Sequence, residues 1–282
     1  MKVSEFKTAG KLITGLGAIK ALTDEMARLS IKDCAIVTDK GVSSSGLLDQ
    51  LLTLLPSSPL LIIDDIPPEP EVNIIEDKLA ILREKQVDGI IALGGGSAID
   101  SANVLAATYD HTGSLSELFG ENTLSKRRLP LIVIPTTAGT GSEVTNIAIL
   151  SDPIAQMKKG IVSPCLLPDV AIVAPEMTKT CPQSITAASG IDAFVHALEA
   201  YISVNASPIT DALAEKALKL IFNSLLHAYN NGENLSARED MATGSLMAGL
   251  AFGNAGVGAV HALAYPLGGR FHLSHGMSNA VM

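Results

Sequence analysis

Tryptophan is absent from this 282-residue chain, aromatic residues make up only 4% of it, and cysteine occurs three times. Cys34, Cys165 and Cys181 are odd in number and widely spaced, which excludes a paired disulfide framework and fits no zinc-ligand spacing; they read as buried structural thiols. Long apolar runs are lacking too, and none reaches the roughly 18 residues that a membrane span needs. Positive charge is scarce, with 20 Lys and Arg against 29 Asp and Glu and a net charge of -9. A nucleic-acid partner would require a basic stripe. The single basic cluster, Lys126-Arg127-Arg128, reads as a solvated loop. The opening MKVSEFKTAG has no apolar signal segment. These absences predict a soluble, cytoplasmic protein without nucleic-acid or membrane partners.

Hydrophobic residues, by contrast, reach 47% and charged residues only 17%, enough to bury a large core or two. The first half alternates short runs, AIVTD (35–39), PLLIID (59–64), DGIIALG (88–94) and LPLIVIPTT (129–137), with helical patterns near 17–29, 43–55, 71–86 and 97–108. Strands apolar on both faces between helices predict a parallel sheet covered on each side. Two further short strands, NIAIL and DVAIV, follow. From about Met177 onward the pattern is helical. The predicted fold is therefore an α/β domain of nucleotide-binding architecture with a parallel sheet over 1–182, followed by an all-α domain over 183–282.

GGGSAID (94–100) leaves a strand and opens a helix. Successive glycines admit a ligand close to the backbone, and first-turn amides of a helix favour an anion. A plain glycine turn before a capping Ser97 reads equally well. The stretch is neither a complete P-loop nor a GxGxxG fingerprint. PTTAGTGSE (135–143) also leaves a strand and is dense in hydroxyls and glycines, so two such loops at neighbouring strand ends would form one polar crevice. Asp39, at the end of AIVTD, suits an adenosine ribose and favours NAD over NADP, with a helix or turn cap as the alternative. GLGAIK (15–20) has Lys20 where a third glycine belongs and reads as a helix start.

In GIDAFVHALEA, Asp192 and His196 are four apart and share a helix face. With His261 and His275 further on, one carboxylate and three imidazoles would complete a site for Fe(II) or Zn(II) rather than magnesium. Taken singly, each has a plainer reading as a cap, a core histidine or a helix-end residue.

GGGSAID, PTTAGTGSEVT, GIDAFVHALEAY, AFGNAGVGAVHALAYPLG and HGMSNA together resemble the iron-containing (group III) alcohol dehydrogenase family, along essentially the whole chain. The resemblance implies an N-terminal dinucleotide-binding domain, a C-terminal helical domain and an active site between them. It implies Asp192, His196, His261 and His275 as ligands of Fe2+, with Zn2+ as the alternative. Gly95, Gly96 and Ser97 would contact the pyrophosphate of NAD. Thr136, Thr137, Thr140 and Ser142 would line the nucleotide cleft, Asp39 would hold the adenosine ribose, and Lys158 would sit near the nicotinamide ribose. The implied activity is reversible hydride transfer between an alcohol, or its aldehyde or ketone, and NAD, with the metal as Lewis acid on the substrate oxygen. The family also implies a homodimer or larger homo-oligomer. A glycerol-dehydrogenase-like or dehydroquinate-synthase-like relative, and a catalytically silent nucleotide-binding fragment, are the competing readings.

The chain departs from the family pattern at Asn103, where a lysine is usual, and at Ala174, where "DPE" reads APE. Tyr265 replaces a second histidine that follows the third ligand, and His272 is the candidate to take over its proton relay. Relatives continue beyond the position of Met282, so the helical domain reads as truncated.

Overall fold

The computed structural model describes residues 3–264 and 275–282. The strands among them are β1 (Leu12–Thr14), β2 (Cys34–Val37), β3 (Leu61–Ile63), β4 (Gly89–Gly94), β5 (Gly120–Glu121), β6 (Leu131–Pro135), β7 (Ile147–Asp152), β8 (Met157–Val162) and β9 (Val170–Val173). Six of them form one parallel sheet in the order β1-β9-β6-β4-β2-β3. Alternation along a strand sends successive side chains to opposite faces. Ile90 and Ala92 of β4 join the core under one face, whereas Ile91 and Leu93 join the core under the other. Both faces are buried, which is why these runs are apolar without a polar alternate.

Helices α1 (Leu22–Arg28), α2 (Lys40–Ser44), α3 (Leu47–Leu52), α4 (Val72–Lys85) and α5 (Gly96–Thr108) belong to this half. The single helix expected over 43–55 is two, because the chain turns at Gly46 between α2 and α3. GLGAIK does open a helix, with a 3-10 turn at Ala18–Ala21 running into α1. A three-stranded sheet, β5-β8-β7, has no counterpart in the sequence pattern. β7 is NIAIL without its first residue, extended by Ser151 and Asp152, but β8 reads MKKGIV, and its lysines and glycine mask it as a loop. Of the three thiols expected to be buried, Cys34 is, while Cys165 and Cys181 are partly exposed; all are free. The basic cluster does lie in a loop, with Arg127 paired to Asp169 and Arg128 to Asp110.

The helical half begins at α6 (Gln183–Tyr201) and continues through α7 (Pro208–Asn230) and α8 (Leu235–Ala255). A further helix, α9, is described over 259–264, and α10 spans His275–Val281. Ser207 caps α7, with Thr210 closing a capping box and Pro208 in the first turn, where its missing N–H costs nothing. Small residues let α6, α7 and α8 approach closely through Ala193, Ala197, Ala217 and Ala248, with Ile221 filling the core between them. Among the described residues, no helix is long and apolar enough to cross a membrane.

Candidate functional site

β4 ends at Gly94, and Gly95 is the N-cap of α5, so Ser97 lies inside the first turn and does not cap it. The neighbouring strand β6 delivers the hydroxyl-rich loop to the same end of the sheet, where the Thr136 amide donates to the Gly94 carbonyl at 2.9 Å. A Cβ on Gly96 would stand 2.6 Å from Thr140 Cγ2, and one on Gly95 would stand 3.3 Å from Thr137. Only glycine lets this loop and helix come together at that point, which leaves α5 amides facing a crevice. Ser142 Oγ donates to Thr140 Oγ1 at 3.0 Å and orders the loop. Asp39 is a helix cap, as its alternative reading held. Its Oδ1 accepts from the Val42 amide at 3.0 Å at the start of α2, while its Oδ2 would lie 3.4 Å from a Cβ on Gly94.

Gly96, Ser97, Thr140, Ser142, Lys158, Asp192, His196, His261 and His275 line one cavity. Gly95, Asp39, Thr136 and Thr137 stand at the strand ends beside it rather than in its lining. Tyr265 and His272 lie outside the described residues.

At the cavity's far end, Asp192, His196, His261 and His275 offer ligand atoms that all lie within 4.8 Å of one another. Asp192 and His196 project from the interior of α6, His261 from α9, and His275 from the first residue of α10. Both His261 Nε2 and His275 Nε2 are 3.6 Å from Asp192 Oδ1. The three acceptors converge on the Asn279 amide nitrogen, which sits 2.5, 3.1 and 3.4 Å from Asp192 Oδ1, His261 Nε2 and His275 Nε2 respectively. The Asn279 side-chain nitrogen stands among these three atoms, where a cation held by them would lie. His196 Nδ1 is buried without a hydrogen-bond partner among the described residues. An orphaned buried nitrogen costs free energy unless something binds it, and one carboxylate with three imidazoles suits borderline divalent iron or zinc. The donor set therefore fits a metal.

The charge states differ within the cluster: burial works to lower His261, but its hydrogen bonds to Asp192 and Glu199 outweigh this and raise it. Burial pushes the His196 imidazole down to about 4, so the ring is neutral near pH 7. Burial also depresses His275. Burial works to raise the Asp192 carboxyl, but the three histidines around it outweigh this and hold it well below the usual carboxylate range. His196 is further fixed by stacking between Phe252, at 4.1 Å, and His261, at 4.4 Å.

Three contributors have no distinguishing signal in the sequence. Glu199 accepts from His261 Nδ1 at 2.6 Å and from the Val260 amide at 2.7 Å, which turns the lone pair of His261 Nε2 towards the cluster. Its place seven residues after Asp192, on the same helix face, is the available hint. Asn279 is the second, and Glu69 the third. Glu69 lines the cavity and pairs with Lys158, 2.6 Å away. Asn103, at the position where a lysine was expected, is fully buried, and its amide donates to the Ser142 carbonyl at 3.3 Å. The helix it sits on forms without the lysine.

A parallel-sheet crevice built for a dinucleotide, opening onto a buried cluster of one aspartate and three histidines, defines a metal-dependent, dinucleotide-linked oxidoreductase. The model of iron-containing alcohol dehydrogenase matches residues 9–175, and that of the family's C-terminal domain matches residues 186–282. The chain belongs to the iron-containing alcohol dehydrogenase family. Long-chain-alcohol dehydrogenase 1 of Geobacillus thermodenitrificans is 48% identical over 273 residues, covering 95% of this chain and 69% of that protein. Among solved structures, 1,3-propanediol oxidoreductase superposes with a TM-score of 0.94 at 38% identity, over 99% of this chain and 74% of that one. Sulfoacetaldehyde reductase from Bifidobacterium kashiwanohense, in complex with NAD+, gives 0.94 at 32% identity over 100% and 75%.

Proposed function

We propose that this protein oxidises a small-molecule alcohol, or reduces its aldehyde or ketone, with NAD(H), using Asp192, His196, His261 and His275 to hold divalent iron. One observation carries this reading: the glycine–hydroxyl crevice and the ligand cluster open into a single cavity. When bound, the metal supplies Lewis acidity and the nicotinamide the hydride acceptor. The remaining work falls to the chain. The α5 amides and Ser97 receive the pyrophosphate, while Thr140 and Ser142 keep the loop against it. Asp39 Oδ2 accepts from the adenosine ribose, and a phosphate there would meet its negative charge, which favours NAD over NADP. Lys158 donates towards the nicotinamide ribose. Ile147 and Ile149, on the half-buried face of β7, together with Phe252 and Val257, line the cavity with apolar surface and exclude water from the reacting carbon. Residues 1–182 supply the nucleotide side and 183–282 the metal side.

Free thiols at Cys34, Cys165 and Cys181 suit the reducing cytoplasm. Exposed Ile202, Val204, Phe222 and Leu226 supply apolar surface for a homodimer or larger assembly.

Elemental analysis of protein purified without oxygen, followed by NADH absorbance with a panel of alcohols under NAD and NADP, tests the reading. Stoichiometric iron or zinc, with turnover faster under NAD, is the expected result. Bound metal without turnover on any alcohol would favour the silent-fragment reading. Nucleotide binding without metal would overturn the mechanism.

A further inference from the structure

Glu69 lies in the run Pro67-Pro68-Glu69-Pro70 that leads into α4, and it adopts a left-handed backbone with φ at +53°. A residue other than glycine is uncommon in that region, and such strain persists only where the surroundings impose it. Here the surroundings are three polar groups of the cavity wall. The Glu69 amide donates to Ser97 Oγ at 3.1 Å. Its carbonyl accepts from Ser151 Oγ at 3.1 Å. Its carboxylate accepts from Lys158 Nζ at 2.6 Å. One residue thus bonds to the first turn of α5, to β7 and to β8 at once, and Ser97, Ser151, Lys158 and Glu69 all line the cavity.

Each bond has a directional consequence. A serine hydroxyl has one proton and two lone pairs. Because Ser97 Oγ accepts from Glu69, its own proton remains available to a group in the cavity that Ser97 lines. An ammonium has three protons. One is spent on Glu69, which fixes the direction of the other two. Lys158 is the only lysine or arginine in the described cavity lining, and its side chain is 7% exposed. Removing its counter-charge would leave a nearly buried cation unpaired. The pair lines the same cavity as His275 and the other cluster residues.

We infer that Glu69 is a positioning residue for the dinucleotide: it turns the Ser97 hydroxyl and the Lys158 ammonium towards the polyhydroxylated, phosphate-bearing ligand that the crevice takes. The inference rests on the proposed NAD-linked reading. It extends that reading to a residue whose carboxylate would itself repel the pyrophosphate and acts through Lys158, while its backbone amide orients Ser97.

The test uses the full chain stripped of metal with a chelator, so that binding is read without turnover. NADH fluorescence titration is run on the wild type, Glu69→Gln, Lys158→Met and the double variant. Glu69→Gln should weaken NADH binding by about tenfold, and by little once Lys158 is already Met, because contacting residues couple non-additively. Unchanged NADH binding in Glu69→Gln, or independent losses that multiply in the double variant, would overturn the role of Glu69 alone. A wild type that binds no NADH would overturn the NAD-linked reading along with it. Glu69→Gly separates positioning from support of the fold. Glycine relaxes the left-handed backbone and keeps the backbone bonds to Ser97 and Ser151 but, like Glu69→Gln, leaves Lys158 without its counter-charge, so its unfolding midpoint should match or exceed that of Glu69→Gln while NADH binding weakens as much. A lowered midpoint with unchanged binding would make Glu69 structural only.

Discussion

Glu143 is 3% exposed and forms no ion pair among the described residues. Burial pushes its carboxyl up to about 7, against a smaller opposing pull from a backbone hydrogen bond. In the unfolded chain the same group titrates near its ordinary value of 4.5. Between those two values the folded protein holds a proton that the unfolded chain has released, so stability falls as pH rises through that window and levels off above it. Asp100, raised by burial to about 7, acts in the same direction. Glu143→Gln keeps the shape and removes the charge. Its denaturation midpoint at pH 8 should exceed the wild type's, and its loss of stability between the ordinary and the raised value should be shallower, with Asp100 sustaining the remainder. Equal slopes in urea titrations across that range would refute the assignment. Nothing in GTGSEVT marks this glutamate as buried, since its neighbours are nearly all polar or small; it is tertiary packing around the loop that removes it from water. Asp192 and the three histidines, by contrast, are legible because few residue types suit a metal and the spacing of four sets two on one face.

Elements differ in how plainly they can be read. α4 and α7 follow a 3.6-residue apolar period, α5 and α8 are small or apolar nearly all round and read as helices from length and composition, and β2, β4, β6 and β9 are apolar throughout because both sheet faces are covered. β1, β5 and β8 are short or broken by lysine and glycine, and they exist because a neighbouring strand offers hydrogen bonds. The contact between α8 and the hydroxyl-rich loop is of the same kind. Gly141, with φ at +63°, lies so close to α8 that a Cβ on it would stand 2.5 Å from the Gly249 Cα. A Cβ on Gly249 would in turn meet Gly141 Cα at 2.8 Å and Val144 Cγ2 at 2.9 Å. Gly249→Ala must therefore push helix and loop apart. Overpacking of this sort costs about 1–3 kcal/mol, and the loop moved is the one that carries Thr140 and Ser142. A lowered denaturation midpoint together with weaker NADH binding is expected. A variant that matches the wild type in both would show that the loop yields without consequence.

Over the whole molecule, the ligand cluster is drawn from α6, α9 and α10, so an ion held there would tie together segments that are distant in the chain. A ligand that binds only the folded state stabilises it by mass action, by about 2.7 kcal/mol at a hundred times its dissociation constant. Adding Fe2+ without oxygen, or Zn2+, to chelator-treated protein should raise the thermal midpoint by several degrees. Asp192→Asn should unfold cooperatively but lose that response. A wild type whose midpoint ignores both metals would remove the cluster as a metal site.

Composition and period by themselves determined the parallel α/β half and the helical half, because these depend on local patterns; Asp192, His196, His261 and His275 stood out as candidate ligands through their side-chain chemistry and the family resemblance. The glycine–hydroxyl stretches announced an anion crevice for the same reason. Only the tertiary structure decided that Glu199 orients His261, that Asn279 faces the cluster and that Glu69 holds Lys158. Each of these is an ordinary polar residue whose role comes from the partner that folding brings to it across many residues, and no local pattern encodes that partner.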